Sequence, residues 1–306
     1  MKAAVYKKYG PPNVLEVTEL EKPKPRDNEM LVKIHAATVT SGDVRLRSSD
    51  FPPLFWLPAR LLFGLFKPKK KILGHELAGV VEAIGKNVIE FKVGDAVFGT
   101  TTMLQTGSYA EYICLPQKWK HGVVEKKPEN LSFREAAALP VGAMTAMFLL
   151  EKANLKNGQK VLIYGASGSV GSYAVQLAKL NGATVTGVCS GSNVEMVKSL
   201  GAKNVIDYKV EDYSRCEEKF DIVFDAVGKT TKTKARKVLN AKGTFVSVKM
   251  LTKEKSEHLE QIKELAEKGN LKPFIDRTFA LNDIVKAHEY VDSGRKKGNV
   301  VVDIIQ

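Results

Sequence analysis

Val161 to Gly171, VLIYGASGSVG, joins an apolar β-type run to a helix through a turn of residues too small to keep a ligand at a distance. Val161, Leu162 and Ile163 supply the run, Gly165 to Gly171 the turn, and Val175, Leu177, Ala178 and Leu180 the apolar spacing of the helix that follows. The first N–H groups of a helix have no partner within it, and the positive end of its dipole draws an anion, so the expected occupant is a dinucleotide pyrophosphate. Gly165, Ser167, Gly168, Ser169, Val170 and Gly171 are the residues expected to touch it. In the G-x-G-x-x-G frame that ends at Gly171, Ala166 replaces the first glycine.

Such a turn works only if strands and helices alternate around it, and they do. ATVTGVC from Ala183 reads as a second strand, SNVEMVKSLGA as a helix and NVID as a third strand; FDIVFDAVG and GTFVSVK supply a fourth and a fifth. The expectation is a doubly wound, Rossmann-type parallel sheet. Enzymes that use NAD place Asp or Glu at the end of the second strand to accept from the ribose 2′-hydroxyl, whereas this chain has Cys189-Ser190-Gly191-Ser192-Asn193. A 2′-phosphate meets no carboxylate there, and Ser190, Ser192 and Asn193 can bond it, so NADPH is the expected cofactor. Arg295 or Lys296 could supply the basic partner that this loop lacks.

At 306 residues the chain exceeds one ordinary core and suits two domains of roughly 150 residues each. Residues 1–125 hold short β-type runs broken by glycine and proline, MLVKIHAATV, LAGVVEAIG, VGDAVFGT and YAEYICLP, the pattern of a partly antiparallel barrel. Ser132 with Glu135 makes a capping box that opens a helix. After Gly269 short strands return, and the closing GNVVVDI is expected to rejoin the first domain. The expected division is 1–125 with 270–306 against 126–269.

The formal charge of +13 suggests anionic partners, but the lysines are spread along the chain beside no nucleic-acid motif, so solvated surface is expected and nucleic acid is not. Three scattered cysteines, Cys114, Cys189 and Cys216, indicate neither a disulfide framework nor a metal knuckle. With no apolar leader before KAAVYKKYG, the expected location is cytoplasmic. The segment Phe51 to Phe66, FPPLFWLPARLLFGLF, is strongly apolar, is broken by Pro52, Pro53, Pro58 and Arg60, and precedes KPKKK. It is too short to span a bilayer. Its composition also fits an interfacial helix, but a flap over a substrate cleft is the expectation and membrane contact is not.

VTSGD (39–43), GHELAGVV (74–81), VGDAVFG (93–99), AALPVGAMTA (137–146), YGASGSVG and LGAKNVIDY (200–208) together resemble the medium-chain dehydrogenase/reductase superfamily, in its zinc-independent quinone oxidoreductase and enone reductase branch. The resemblance implies a GroES-like catalytic domain around a Rossmann domain, with the active site between them. It adds Tyr208, Val227 and Asn299 to the cofactor contacts and puts Thr145 near the nicotinamide. Zinc-bearing relatives ligate the metal with a cysteine where this chain has Thr40, with the histidine matching His75, and with a third, later ligand for which 137–146 offers no cysteine. Zinc needs three protein ligands, so no metal is expected, and His75 is read as a packed or hydrogen-bonded loop histidine. Without a Lewis acid, chemistry rests on holding an electron-poor acceptor against the cofactor and on a donor to the developing oxyanion. Thr40 is the candidate donor; Asp43 orients a water or donor, or caps the loop.

The function this implies is metal-free, NADPH-dependent reduction of quinones or small α,β-unsaturated carbonyl compounds. Its rivals are alcohol or aldehyde oxidoreduction and a cofactor-binding regulatory or membrane-associated protein with little turnover. Family members follow the fifth strand with a sixth that joins two subunits; here GTFVSVK runs almost directly into KEKSEHLEQIKELAEKG. A monomer, or a dimer through another surface, is therefore expected.

Overall fold

The structure, a computed structural model, describes residues 1–101, 105–119 and 122–305. The chain divides into two compact units, Met1–Pro140 with Ile275–Gln306, and Val141–Phe274. Both boundaries lie beyond the expected 125/126 and 269/270, for local reasons. The helix Phe133–Ala138, opened by the capping box of Ser132 and Glu135, packs on strands of the first unit, and Arg134 adds a two-pronged ion pair to Asp303 at 2.7 Å. On the other side, Gln176 exchanges two hydrogen bonds with the backbone of Lys272, 3.0 and 2.9 Å, which keeps the chain up to Phe274 with the second unit.

In the first unit β1 (Lys2–Tyr6) and β2 (Leu15–Glu19) form an antiparallel pair. The main sheet is built on β3 (Glu29–Thr38), long enough to pair through Glu29–Lys33 with β6 (Tyr112–Pro116) and through Ala36–Thr38 with β14 (Asn299–Asp303). Beside β3 run β4 (Glu76–Ile84), β5 (Ala96–Thr100) and β7 (Val123–Lys126), all antiparallel, while β13 (Ile275–Ala280) pairs with β14 in parallel. The closing strand thus joins the first unit through β3, as expected.

The second unit is one parallel sheet in the order β10 (Asn204–Asp207), β9 (Thr184–Cys189), β8 (Lys160–Tyr164), β11 (Phe220–Asp225), β12 (Leu239–Ser247). The winding reverses at β8, so the loops after β8 and β11 open beside each other at the carboxyl ends of the strands, where such sheets bind ligands. Val161, Leu162 and Ile163 are fully buried, which explains their unbroken apolar run.

Among the described residues no strand pairs with the outer edge of β12, and the helix Ser256–Glu267 follows soon after it. An edge-to-edge dimer needs such a strand on both subunits, and exposed Lys242 discourages direct pairing of β12. Light scattering is expected to give the monomer mass of 33.7 kDa; a stable dimer joined through β12 would refute this.

Candidate active site and cofactor cradle

Gly165 leaves β8 with φ +81°, a left-handed turn that glycine adopts without strain. Its N–H and that of Ala166 donate to the Val188 carbonyl at 2.9 and 3.0 Å, tying the turn to β9. Gly168 is the N-cap of the helix Ser169–Leu180 and offers no side-chain cap, a helix N-terminus of the kind that receives an anion. Ala166 fits at a glycine position because its methyl turns into the sheet: a Cβ added to Gly187 of β9 would lie 3.1 Å from it. Gly171 is where the helix crosses the turn. A Cβ there would stand 2.1 Å from the Gly165 carbonyl oxygen and 2.9 Å from Ala166 Cα. Both are backbone atoms, so Gly171→Ala is expected to cost about 1–3 kcal/mol of stability by overpacking and to weaken dinucleotide binding. Thermal melts with fluorescence titration would check this, and unchanged values in both would show that the turn yields easily.

The predicted cofactor residues of this unit converge. Asn193 Nδ2 donates to Ser167 Oγ at 3.0 Å, Ser192 Oγ donates to Asn193 Oδ1 at 3.3 Å, and Ser190 Oγ lies 3.2 Å from Ser192 Oγ, so the loop after β9 is strung to the glycine turn. Val227 sits against Gly165, where an added Cβ would be 2.6 Å from Val227 Cγ1. Tyr208 follows β10 and is half exposed. On the helix Pro140–Lys152, a Cβ at Gly142 would be 2.5 Å from Ser169 Oγ, and Thr145, three residues on, shares that side of the helix. Asn299 lies in the first unit as the buried first residue of β14. Lys296 is also in the first unit: it donates to the Gly298 carbonyl at 3.0 Å, and burial lowers its pKa against the opposing charges of Glu76, Asp276 and Asp43.

Two acids in this unit escaped the sequence reading. Asp225, fully buried at the end of β11, accepts from the N–H groups of Val227, Gly228 and Lys229 at 3.3, 2.9 and 3.3 Å and from Ser247 Oγ at 2.9 Å, so it shapes the loop that carries Val227. An aspartate followed by A-V-G at a strand end was the available signal. Asp207 ends β10, and a Cβ on Gly191 would be 2.5 Å from its Oδ2. The loop after β9 lacks a carboxylate in sequence but has one beside it in space.

In the first unit Thr40 caps the helix Ser41–Ser48 and Asp43 completes the box. Asp43 Oδ2 accepts from Thr40 N–H at 2.8 Å and from Thr40 Oγ at 2.6 Å, while Thr40 Oγ accepts from Asp43 N–H at 3.1 Å. Oδ1 accepts from Gly74 N–H at 2.9 Å and stands 2.6 Å from His75 Nδ1. Burial pushes the Asp43 carboxyl up, but His75 and the two Thr40 bonds outweigh it and hold the pKa below the usual range. The Thr40 hydroxyl hydrogen is thus committed to Asp43, and a substrate oxygen reaches it only by competing for that bond. Gly42 keeps the spot open: a Cβ on it would be 3.3 Å from Thr40 Oγ and 3.6 Å from His75 Cε1. Beside them Glu76 accepts from Thr38 Oγ. Among the described residues no group of three or more His, Cys, Asp or Glu side chains could hold a metal ion. With threonine at the first position and His75 engaged with Asp43, this donor set does not fit a catalytic zinc.

Residues 26–128 match the family described as alcohol dehydrogenase GroES-like domain, and residues 169–273 and 247–302 match two families each described as zinc-binding dehydrogenase. Over 99% of its length the chain is 34% identical to 2-methylene-furan-3-one reductase of Solanum lycopersicum, covering 79% of that protein. It is 30% identical, with the same coverages, to the chloroplastic NADPH-dependent alkenal/one oxidoreductase of Arabidopsis thaliana. The solved quinone oxidoreductase of Coxiella burnetii superposes with a TM-score of 0.89 at 31% identity, over 100% of this chain and 99% of that one.

Proposed function

Because the chain belongs to the medium-chain dehydrogenase/reductase superfamily, in its quinone oxidoreductase branch, we propose that it reduces quinones or small α,β-unsaturated carbonyl compounds with NADPH and without a metal. The observation that carries this reading is the Thr40–Asp43–His75 cluster, a hydrogen-bonded polar site where zinc-bearing relatives need three ligands, in a chain that also has a glycine cradle at the reversal of a parallel sheet. When bound, the reduced nicotinamide supplies a hydride. The residues of this chain bind and orient: the turn Gly165–Gly171 takes the pyrophosphate, Ser190, Ser192, Asn193 and Tyr208 take the adenosine 2′-phosphate, and Val227 and Thr145 line the path toward the nicotinamide. Asn299 is assigned to the same cofactor by resemblance. Thr40 donates to the oxygen on which charge develops by turning its one hydroxyl hydrogen away from Asp43, while the Thr40 N–H bond to Asp43 and the Asp43 N–H bond to Thr40 Oγ keep the residue in place.

NADPH is favoured because Ser190–Asn193 carries no carboxylate of its own and a charge-assisted bond to phosphate contributes about 1.5–3 kcal/mol, so roughly tenfold tighter binding than NADH is expected. The competing reading comes from Asp207, whose carboxylate beside Gly191 suits a ribose hydroxyl. Fluorescence titration with both cofactors separates them: equal or reversed affinity would assign the loop to NADH. Cofactor oxidation with a panel of quinones, enones and simple aldehydes tests the reaction. Activity that survives chelation and lacks stoichiometric zinc is expected; one zinc per chain would restore the alcohol dehydrogenase reading.

A further inference from the structure

The helix Pro53–Phe63 turns its charge inward and its leucines outward. Its one charged residue, Arg60, lies over the Tyr9 ring at 4.0 Å and near the Trp56 ring at 5.3 Å, and donates to Ser49 Oγ at 3.2 Å and to the Leu65 carbonyl at 2.8 Å. Phe63 stacks on Phe51 at 5.8 Å, and both pack against the core of the first unit. No residue of the helix is buried. With 3.6 residues per turn, Leu54, Leu57, Pro58, Leu61 and Leu62 share the opposite side. Leu54 is 81% exposed, Phe55 61%, Leu57 54%, Leu61 57% and Phe66, just past the helix, 87%. An ordinary surface helix has the reverse arrangement, and a contiguous apolar face of this kind marks an interaction site.

Basic residues dominate the charge of the segment that carries this face. No Asp or Glu occurs between residues 51 and 75, and exposed Lys67, Lys69, Lys70 and Lys71 follow the helix. Exposed Lys7 and Lys8 come alongside, because Tyr6 N–H donates to the Lys71 carbonyl and Tyr9 Oη donates to the Gly64 carbonyl, both at 2.9 Å. We propose that this face docks on an anionic phospholipid bilayer, with the helix in the plane of the headgroups, its leucines at the acyl boundary and the lysines on the phosphates. An eleven-residue helix is about 16 Å long, roughly half the hydrocarbon thickness, so it lies on the membrane and does not cross it. A second copy of the chain fits this face less well, since a two-fold contact would bring two sets of the same lysines together. The proposal rests on this surface alone and is independent of the redox reading.

Co-sedimentation of the full chain with vesicles of phosphatidylcholine plus phosphatidylserine, against phosphatidylcholine alone, tests it. Expected are sedimentation with the anionic vesicles only and its reversal by salt. Lys67→Glu and Lys71→Glu should each weaken binding at least about fivefold. Leu57→Glu combined with Leu61→Glu should abolish sedimentation while leaving the unfolding midpoint in place, because both side chains are exposed. A wild-type chain that stays in solution with anionic vesicles overturns the proposal, as does equal binding by the Leu57/Leu61 variant. Failure to bind vesicles together with a dimer that the Leu57/Leu61 variant dissociates would assign the face to a second copy instead.

Discussion

Asp43→Asn is expected to lower the unfolding free energy by about 1–3 kcal/mol at neutral pH, the scale of leaving buried hydrogen-bonding groups without their partner. Asp43 is fully buried, and each of its oxygens faces two donors: Thr40 N–H and Thr40 Oγ at one, Gly74 N–H and His75 Nδ1 at the other. An asparagine keeps the shape but must turn an NH2 against one of these pairs, and it leaves the His75 side without an anion. The pH dependence has a definite sign. A carboxyl whose folded pKa is depressed stabilises fully above its unfolded value, near 3.9, and loses that contribution as the pH falls through the folded value. The wild-type advantage over Asp43→Asn should therefore be constant from neutral pH down to the carboxylate range and shrink below it. Denaturant midpoints across that range check this; a difference under about 1 kcal/mol at neutral pH would show that the charge is not needed.

The second large effect lies at His288, also fully buried. Arg47 Nη1 sits 3.1 Å from His288 Nδ1, and because a guanidinium only donates, the imidazole accepts there and is neutral with its proton on Nε2. Burial pulls its pKa down to about 3, with the Arg47 charge acting the same way and Asp43 opposing. An unfolded histidine titrates near 6.5, so between these values the unfolded chain binds the extra proton and stability falls as the pH falls. The loss between pH 7 and pH 4.5 is on the order of 2–3 kcal/mol. His288→Gln keeps an acceptor for Arg47 and cannot titrate, so its stability should be flatter across this window. Parallel pH profiles for the two proteins would exclude His288 as the source of acid lability.

The parts of the molecule legible from residue order are those with local causes. The run Val161–Ile163 is buried on both faces and reads as a strand from its own composition; Ser132 and Glu135 satisfy each other across one helical turn; and the glycine turn needs only small residues in succession. Five parallel strands followed from the alternation of such elements, whereas their order across the sheet, with the reversal at β8, belongs to the folded chain. Thr40 and Asp43 could be named as site residues, but whether the hydroxyl is free or committed to the carboxylate depends on how the capping box closes and on Gly74 and His75, some thirty residues away.

What needed the folded chain arises wherever a contact joins distant positions. Arg47 is held by His288 and Asp292, respectively 241 and 245 residues further on, and no local pattern marks such a pairing. Ala166 is acceptable in the glycine frame because Gly187, on the neighbouring strand, leaves room for its methyl group, and Asp207 reaches the cofactor loop from a different strand end. The segment Phe51–Phe66 shows the limit most clearly. Its composition led to the expectation of a flap over a substrate cleft, since hydrophobicity is a property of residues; which side faces water was decided by Arg60 finding Tyr9 and Ser49 and by Phe63 finding Phe51, contacts that exist only once the chain has folded.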